Sequence, residues 1–115
     1  MRPLMLGVLL AFLPADRTAD AAWCGRSMTT GYVRSDYGPH GRTFDGTSIL
    51  SPEPIAAAGW SIPLGSYVEV EGLPGRYRVA DRGMLGADNI DIAVWSRSEA
   101  FEITAMRSYC VYPPG

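Results

Sequence analysis

The chain has 115 residues, a formal charge of −2 and 47% hydrophobic residues, enough for one domain with a single core. All 10 of its basic residues are arginine, and they form no basic run. Such a near-neutral chain carries neither the electrostatic footprint of a nucleic-acid binder nor that of a protein held on anionic lipid.

The N-terminus reads as a targeting segment. Arg2 supplies a positive start, Leu4 to Leu13 is an apolar run too short to span a bilayer as a helix, and Ala19-Asp20-Ala21 is a small-x-small cleavage site. Residues 1–21 are therefore expected to be a secretory signal peptide, leaving 22–115 as one domain exported to the periplasm, cell wall or extracellular space, with no membrane span after cleavage. Cys24 and Cys110 lie near the two ends of that domain. An even pair of cysteines in an exported chain predicts a disulfide, which would tie the first strand to the last and contribute about 4 kcal/mol in the chain-entropy account. Two cysteines and the one histidine, His40, make no zinc constellation, and neither metal nor cofactor is expected.

Thr29 to Val33 is the first strand candidate. From Asp36 to Pro54 glycine, proline, serine and threonine dominate, which predicts a long surface loop of the kind that often carries function. Ile55 to Ala58 is a short apolar run, and Pro63 marks a bend just after Trp60. Tyr67-Val68-Glu69-Val70-Glu71 and Arg76-Tyr77-Arg78-Val79-Ala80 alternate on either side of Gly72-Leu73-Pro74-Gly75. Folded about that turn, the hairpin is expected to set Glu71 against Arg76, Glu69 against Arg78, Val68 against Val79 and Val70 against Tyr77, with Asp81 on the buried face of Tyr77 and Val79. In the next strand Ile90, Ile92 and Val94 share one face, and Asp91, Ala93 and Trp95 the other. Ser96 and Glu99 form a capping box that starts a short helix ending near Ile103, and Tyr109 to Tyr112 is a last strand before Pro113. The sum is a mainly β domain, a small barrel of about six strands with one short helix.

Asp81 and Asp91 are the chemistry-bearing residues. A carboxylate within a β-branched run is costly to desolvate, and two in one short unit point to a site. Paired carboxylates serve glycosidic bond cleavage, aspartic proteolysis or calcium binding. Asp81-Arg82-Gly83 puts arginine where an aspartic protease needs a hydroxyl. Asp81, Asp88 and Asp91 lack the alternating spacing of a calcium loop. A single histidine in a loop and two thiols expected to be oxidised make no nucleophilic triad.

In combination, Ile62-Pro63-Leu64-Gly65-Ser66, Val68-Glu69-Val70-Glu71-Gly72, Ala80-Asp81-Arg82-Gly83, Gly86, Asn89-Ile90-Asp91-Ile92 and Ser98-Glu99-Ala100 resemble the 3D domain, which also forms the catalytic part of membrane-bound lytic transglycosylase A. Asp81-Arg82-Gly83 looks more like the related rare lipoprotein A and expansin group, and Gly41-Arg42-Thr43-Phe44-Asp45-Gly46 is similar to a threonine-glycine segment that both groups carry. The domain is expected to be a monomer, and the resemblance implies a six-stranded double-psi β-barrel acting on peptidoglycan or a related polysaccharide. It implies a lytic transglycosylase, a lyase in which Asp91 protonates the glycosidic oxygen and then takes the proton of the muramic C6 hydroxyl to close a 1,6-anhydro ring. Asp81 would be its charged neighbour, Thr43 and Asp45 would reach substrate from the loop, and Trp60 or Trp95 would stack on a sugar face, with at least one of the two in the core. At the family's third acidic position this chain has Ala58 and Gly59. That departure keeps a second reading open, a non-catalytic wall-binding or expansin-like loosening module.

Overall fold

A computed structural model describes residues 21–83, 86 and 89–114. Of the expected signal peptide, residues 1–20 lie outside the described residues, as does Asp88. Six strands, β1 Trp23–Val33, β2 Ile55–Ala58, β3 Tyr67–Val70, β4 Tyr77–Asp81, β5 Ile90–Val94 and β6 Ala105–Tyr112, are joined by a 3-10 turn over Arg34–Tyr37 and one short helix, α1 Arg97–Ile103. They close into a barrel in the order β1-β5-β2-β4-β3-β6, so the six-stranded barrel with one short helix expected from the sequence is what forms. Closure leaves no open sheet edge.

The first strand is longer than its apolar alternation suggests, because it changes partner midway. From Trp23 to Thr29 it runs antiparallel to β6, and from Thr29 to Val33 it runs parallel to β5. Cys24 faces Cys110 in the first of these ladders, and the two form the expected disulfide across 86 residues of sequence. The last strand likewise begins earlier than expected, at Ala105, because it pairs with β1 on one side and β3 on the other.

Alternation sorts the side chains into two clusters. Inside the barrel Val68, Val79, Ile90, Ile92, Val94 and Val111 pack with Ile62 and Tyr109, and each such fully buried aliphatic contributes roughly 1.5–3 kcal/mol. Outside, Tyr32, Ile49, Ile55, Ala57, Ala80 and Ala93 form a second cluster, in which Ile49 comes from the long loop between β1 and β2. Ser96 caps α1 with both halves of the capping box in place: the Glu99 backbone N–H donates to Ser96 Oγ at 3.2 Å and the Ser96 N–H to Glu99 Oε1 at 3.1 Å. The helix can lie against β1 because Gly31 has no side chain. A Cβ there would come within 2.9 Å of Ala100 Cα.

The β3–β4 hairpin departs from its expected register by two residues. Tyr67 faces Arg78 and Val68 faces Tyr77. Gly72 and Gly75 both take positive φ, at 82° and 70°, and Leu73 folds back against the inner core, which widens the turn. A slip of two preserves the faces and changes only the partners. Glu69 pairs with Arg76 at 3.1 Å rather than with Arg78, and Glu71 reaches Arg26 over the intervening β6 at 3.5 Å.

Native protein is expected to show no reactive thiol, since both cysteines are bonded. Reduction should lower the unfolding free energy by roughly 2–4 kcal/mol. A denaturation midpoint unmoved by reduction would show that the β1–β6 seam holds without its covalent bond.

Candidate functional site

The site is built on a single cross-strand row. Ala57 of β2 faces Asp91 in the antiparallel ladder with β5 and Asp81 in the parallel ladder with β4, while Asp91 also faces Thr30 of β1. Directly paired residues share a face, so Asp81, Ala57, Asp91 and Thr30 line up across four strands on the outside of the barrel. A bulge between Ala56 and Ala57 shifts the β2–β4 pairing by one residue. It turns Asp81 out beside Ala57, away from the buried face of Val79 where simple alternation would put it. With neighbouring strands ~4.8 Å apart, the Cα atoms of the two aspartates stand roughly 10 Å apart over the methyl group of Ala57.

The two carboxylates are held differently. Asp81 Oδ1 accepts the backbone N–H groups of Phe44 and Arg82, each at 2.9 Å. Asp91 Oδ1 accepts the hydroxyl of Thr30 at 2.9 Å. Burial pushes the pKa of Asp91 above the ordinary carboxylate value, the negative charge of Asp81 adds to the rise, and the Thr30 hydrogen bond opposes it. Its burial thus suits Asp91 to hold a proton.

The long loop is fixed to this row by two arginines. Arg34, only 2% exposed, donates from Nη1 to the carbonyls of Ile49 and Ser51 and from Nη2 to that of Glu53 at 2.8 Å. Arg78 bonds Asp45 through Nη1 at 2.6 Å, Thr47 Oγ1 through Nη2 at 3.0 Å, and both carboxylate oxygens of Glu53. Burial alone would raise the pKa of Asp45, but hydrogen bonds from Thr47, Thr43 and Arg78 outweigh it and hold the carboxyl far below its usual range. The braced loop lays the N–H of Phe44 on Asp81.

Exposed aromatic surface flanks the Asp81 end of the row. Trp60 is 68% exposed and meets Phe44 edge-on, with ring centroids 5.9 Å apart. The Arg82 guanidinium lies 4.8 Å from the Trp60 ring centre and donates to the carbonyls of Ala58 and Gly59 at 3.2 and 3.0 Å. Where the resembling family carries its third acidic group, this chain thus presents main-chain carbonyls held by an arginine.

Of the residues expected at the site, the structure brings together Asp81, Asp91 and Trp60. Thr43 is buried, donates to Asp45 at 2.7 Å and accepts the N–H of Thr47, so it braces the loop, as Asp45 does. Trp95 lies four residues beyond Asp91, about 13 Å along the strand, with the Arg34 guanidinium 4.6 Å from its ring centre. Trp60 and Trp95 are both exposed, contrary to the expectation that at least one of them would be core. Sequence reasoning missed Phe44, Thr30 and Arg82. An aromatic in a glycine-rich polar loop was the available sign of Phe44, while Thr30 is identified only by the parallel register of β1 and β5.

No family model matches the chain, and no curated protein matches its sequence. Among solved structures it is similar to the crystal structure of an apo expansin from Clavibacter michiganensis, at 17% identity with a TM-score of 0.55, over 81% of this chain and 52% of that one. The chain spans about half the length of that neighbour. At this identity the likeness shows the fold, a double-psi β-barrel, as the resemblance implied.

Two outcomes follow from the site's physical chemistry. A carboxyl whose pKa is raised on folding destabilises the native state only once it ionises, a cost that appears as pH rises from the unfolded value, about 3.9, through the folded one. Asp91→Asn is therefore expected to melt higher than the parent at pH 7 and together with it near pH 3; a variant that melts lower at pH 7 would contradict this. Arg34→Met strands three carbonyl acceptors and should cost about 3–5 kcal/mol in denaturant unfolding while exposing residues 43–53 to proteolysis. A loss below about 1 kcal/mol would mean the loop does not depend on Arg34.

Proposed function

We propose that this domain is an exported, expansin-like module that binds cell-wall polysaccharide without cleaving it. The observation that carries the reading is the Asp81–Ala57–Asp91–Thr30 row, with exposed Trp60 and Phe44 at one end, on a barrel of the expansin fold. The row offers hydrogen-bonding groups at regular spacing, with Asp81 and Asp91 on the strands either side of Ala57. The aromatic end offers flat apolar area for the C–H face of a pyranose ring. The disulfide is in keeping with an oxidising compartment.

A second reading, the lytic transglycosylase, is favoured by one observation: the raised pKa of Asp91 fits a group that is first acid and then base. Against it stand the Arg82-bound carbonyls of Ala58 and Gly59 in place of the third acidic group.

Incubation with insoluble peptidoglycan and with cellulose separates the two. The expectation is that protein partitions onto one or both solids, that Trp60→Ala and Phe44→Ala each weaken partition roughly tenfold, about 1.4 kcal/mol, and that no 1,6-anhydro product is released. Soluble 1,6-anhydro-muropeptides that vanish with Asp91→Asn would replace this reading by the enzymatic one. Failure to bind either solid would reject both.

A further inference from the structure

The row of the proposed groove does not stop at Thr30. Beyond it, between β1, the 3-10 turn and α1, lies a cavity of about 410 Å³ whose walls include Thr30, Tyr32, Tyr37, Arg97, Phe101 and Thr104. Thr30 belongs to both places, since its hydroxyl bonds Asp91 and its residue lines the cavity wall. The volume falls within the range that holds small ligands.

The lining has a definite chemistry. Tyr37 and Phe101 are 59% and 80% exposed, a large apolar area to leave in water on adjacent elements. The two charges present neutralise one another, Arg97 Nη2 contacting both carboxylate oxygens of Asp36 at 3.1 Å. The remaining polar groups are hydroxyls. That of Tyr32, a residue 9% exposed, is buried, has no hydrogen-bond partner among the described residues, and lies where the charges of Asp81 and Asp91 act on it. The Tyr32 ring meets that of Tyr37 edge-on, centroids 5.8 Å apart. The Thr30 and Thr104 hydroxyls donate within the protein, to Asp91 and to the Ala100 carbonyl, which leaves their lone pairs to accept. Aromatic walls, hydroxyl acceptors and no net charge suit a neutral, hydroxyl-rich ring with an apolar face.

We infer that this cavity is a second sugar subsite, which takes one neutral pyranose residue of the same polysaccharide strand beyond Asp91. The inference rests on the polysaccharide-binding reading above. The strand then runs from Trp60 and Phe44 past Asp81 and Asp91 to the cavity, a path whose barrel portion crosses three strand spacings, about 14 Å. The absence of a side chain at Gly31 sets the depth of the cavity, because it lets α1 sit close to β1.

Calorimetric titration of the full chain with β-1,4-linked oligomers of N-acetylglucosamine and of glucose, as dimers and as hexamers, tests this. A hexamer can reach both ends of the path, and a dimer cannot. Phe101→Ala and Tyr37→Ala, both surface changes, are expected to weaken the preferred hexamer roughly tenfold and leave the dimer unchanged, while Phe101→Tyr retains parental affinity. Trp60→Ala should weaken hexamer and dimer alike. If Trp60→Ala weakens the hexamer but Phe101→Ala and Tyr37→Ala do not, the subsite is wrong and the groove reading stands. If no oligomer binds the parent, both fall.

Discussion

The outer face of this barrel depends on the position of one short strand. β2 is only four residues long and wholly buried, yet it is the strand that lies between β4 and β5 in the barrel. It runs parallel to one and antiparallel to the other. A single residue, Ala57, therefore fixes Asp81 and Asp91 relative to each other, and a bulge beside it decides that Asp81 faces outward. Because the barrel is closed, neither neighbour can slide without disturbing the ladders around the ring. The spacing of the carboxylates is a property of barrel closure rather than of any loop.

The second layer of control is the long loop, which has little core of its own. Ile49 is its apolar anchor in the outer cluster, and two arginines supply the rest. Arg34 replaces missing backbone pairing by donating to three loop carbonyls. Arg78 gathers Asp45, Thr47 and Glu53 into one charge-assisted network. Such a network holds only while the carboxylates are ionised. Asp45 and Glu53 both have depressed pKa values, so the stability they lend is present above the unfolded carboxylate pKa and fades as pH falls through the folded one. Thr43 and Asp45, expected from sequence to reach substrate, are hydrogen-bonded within the loop that holds Phe44 against Asp81.

Much of this was legible in the sequence where one physical rule acted alone. The capping box at Ser96 and Glu99, the alternation that buries Ile90, Ile92 and Val94, and the pairing of the chain's two cysteines each require only local information. The hairpin was half legible. Alternation gave its faces, but turn width depends on how Leu73 packs, and that contact is tertiary. The outward turn of Asp81 was hidden because a bulge breaks the period of two without leaving a mark in composition. Thr30 was hidden for another reason, since the parallel partner of a strand some sixty residues away cannot be read from spacing. The exposure of Trp60 and Trp95 ran against the general tendency of large aromatics to be buried, and in both cases an arginine lies near the ring instead of core.

Taken together, the row and its flanking aromatics describe a shallow, hydrogen-bonding track with an apolar platform at one end, on a fold shared with an expansin. The central claim is that ligand lies along that track. Backbone and indole chemical shifts of isotopically labelled protein, followed during addition of soluble peptidoglycan or cellulose fragments, test it most directly. The account predicts that the largest shifts form one connected path through Trp60, Phe44, Asp81, Ala57, Asp91 and Thr30, with the β3–β6 side of the barrel unmoved. Shifts centred on Tyr67, Arg76 and Tyr112, with Ala57 and Asp91 silent, would contradict it.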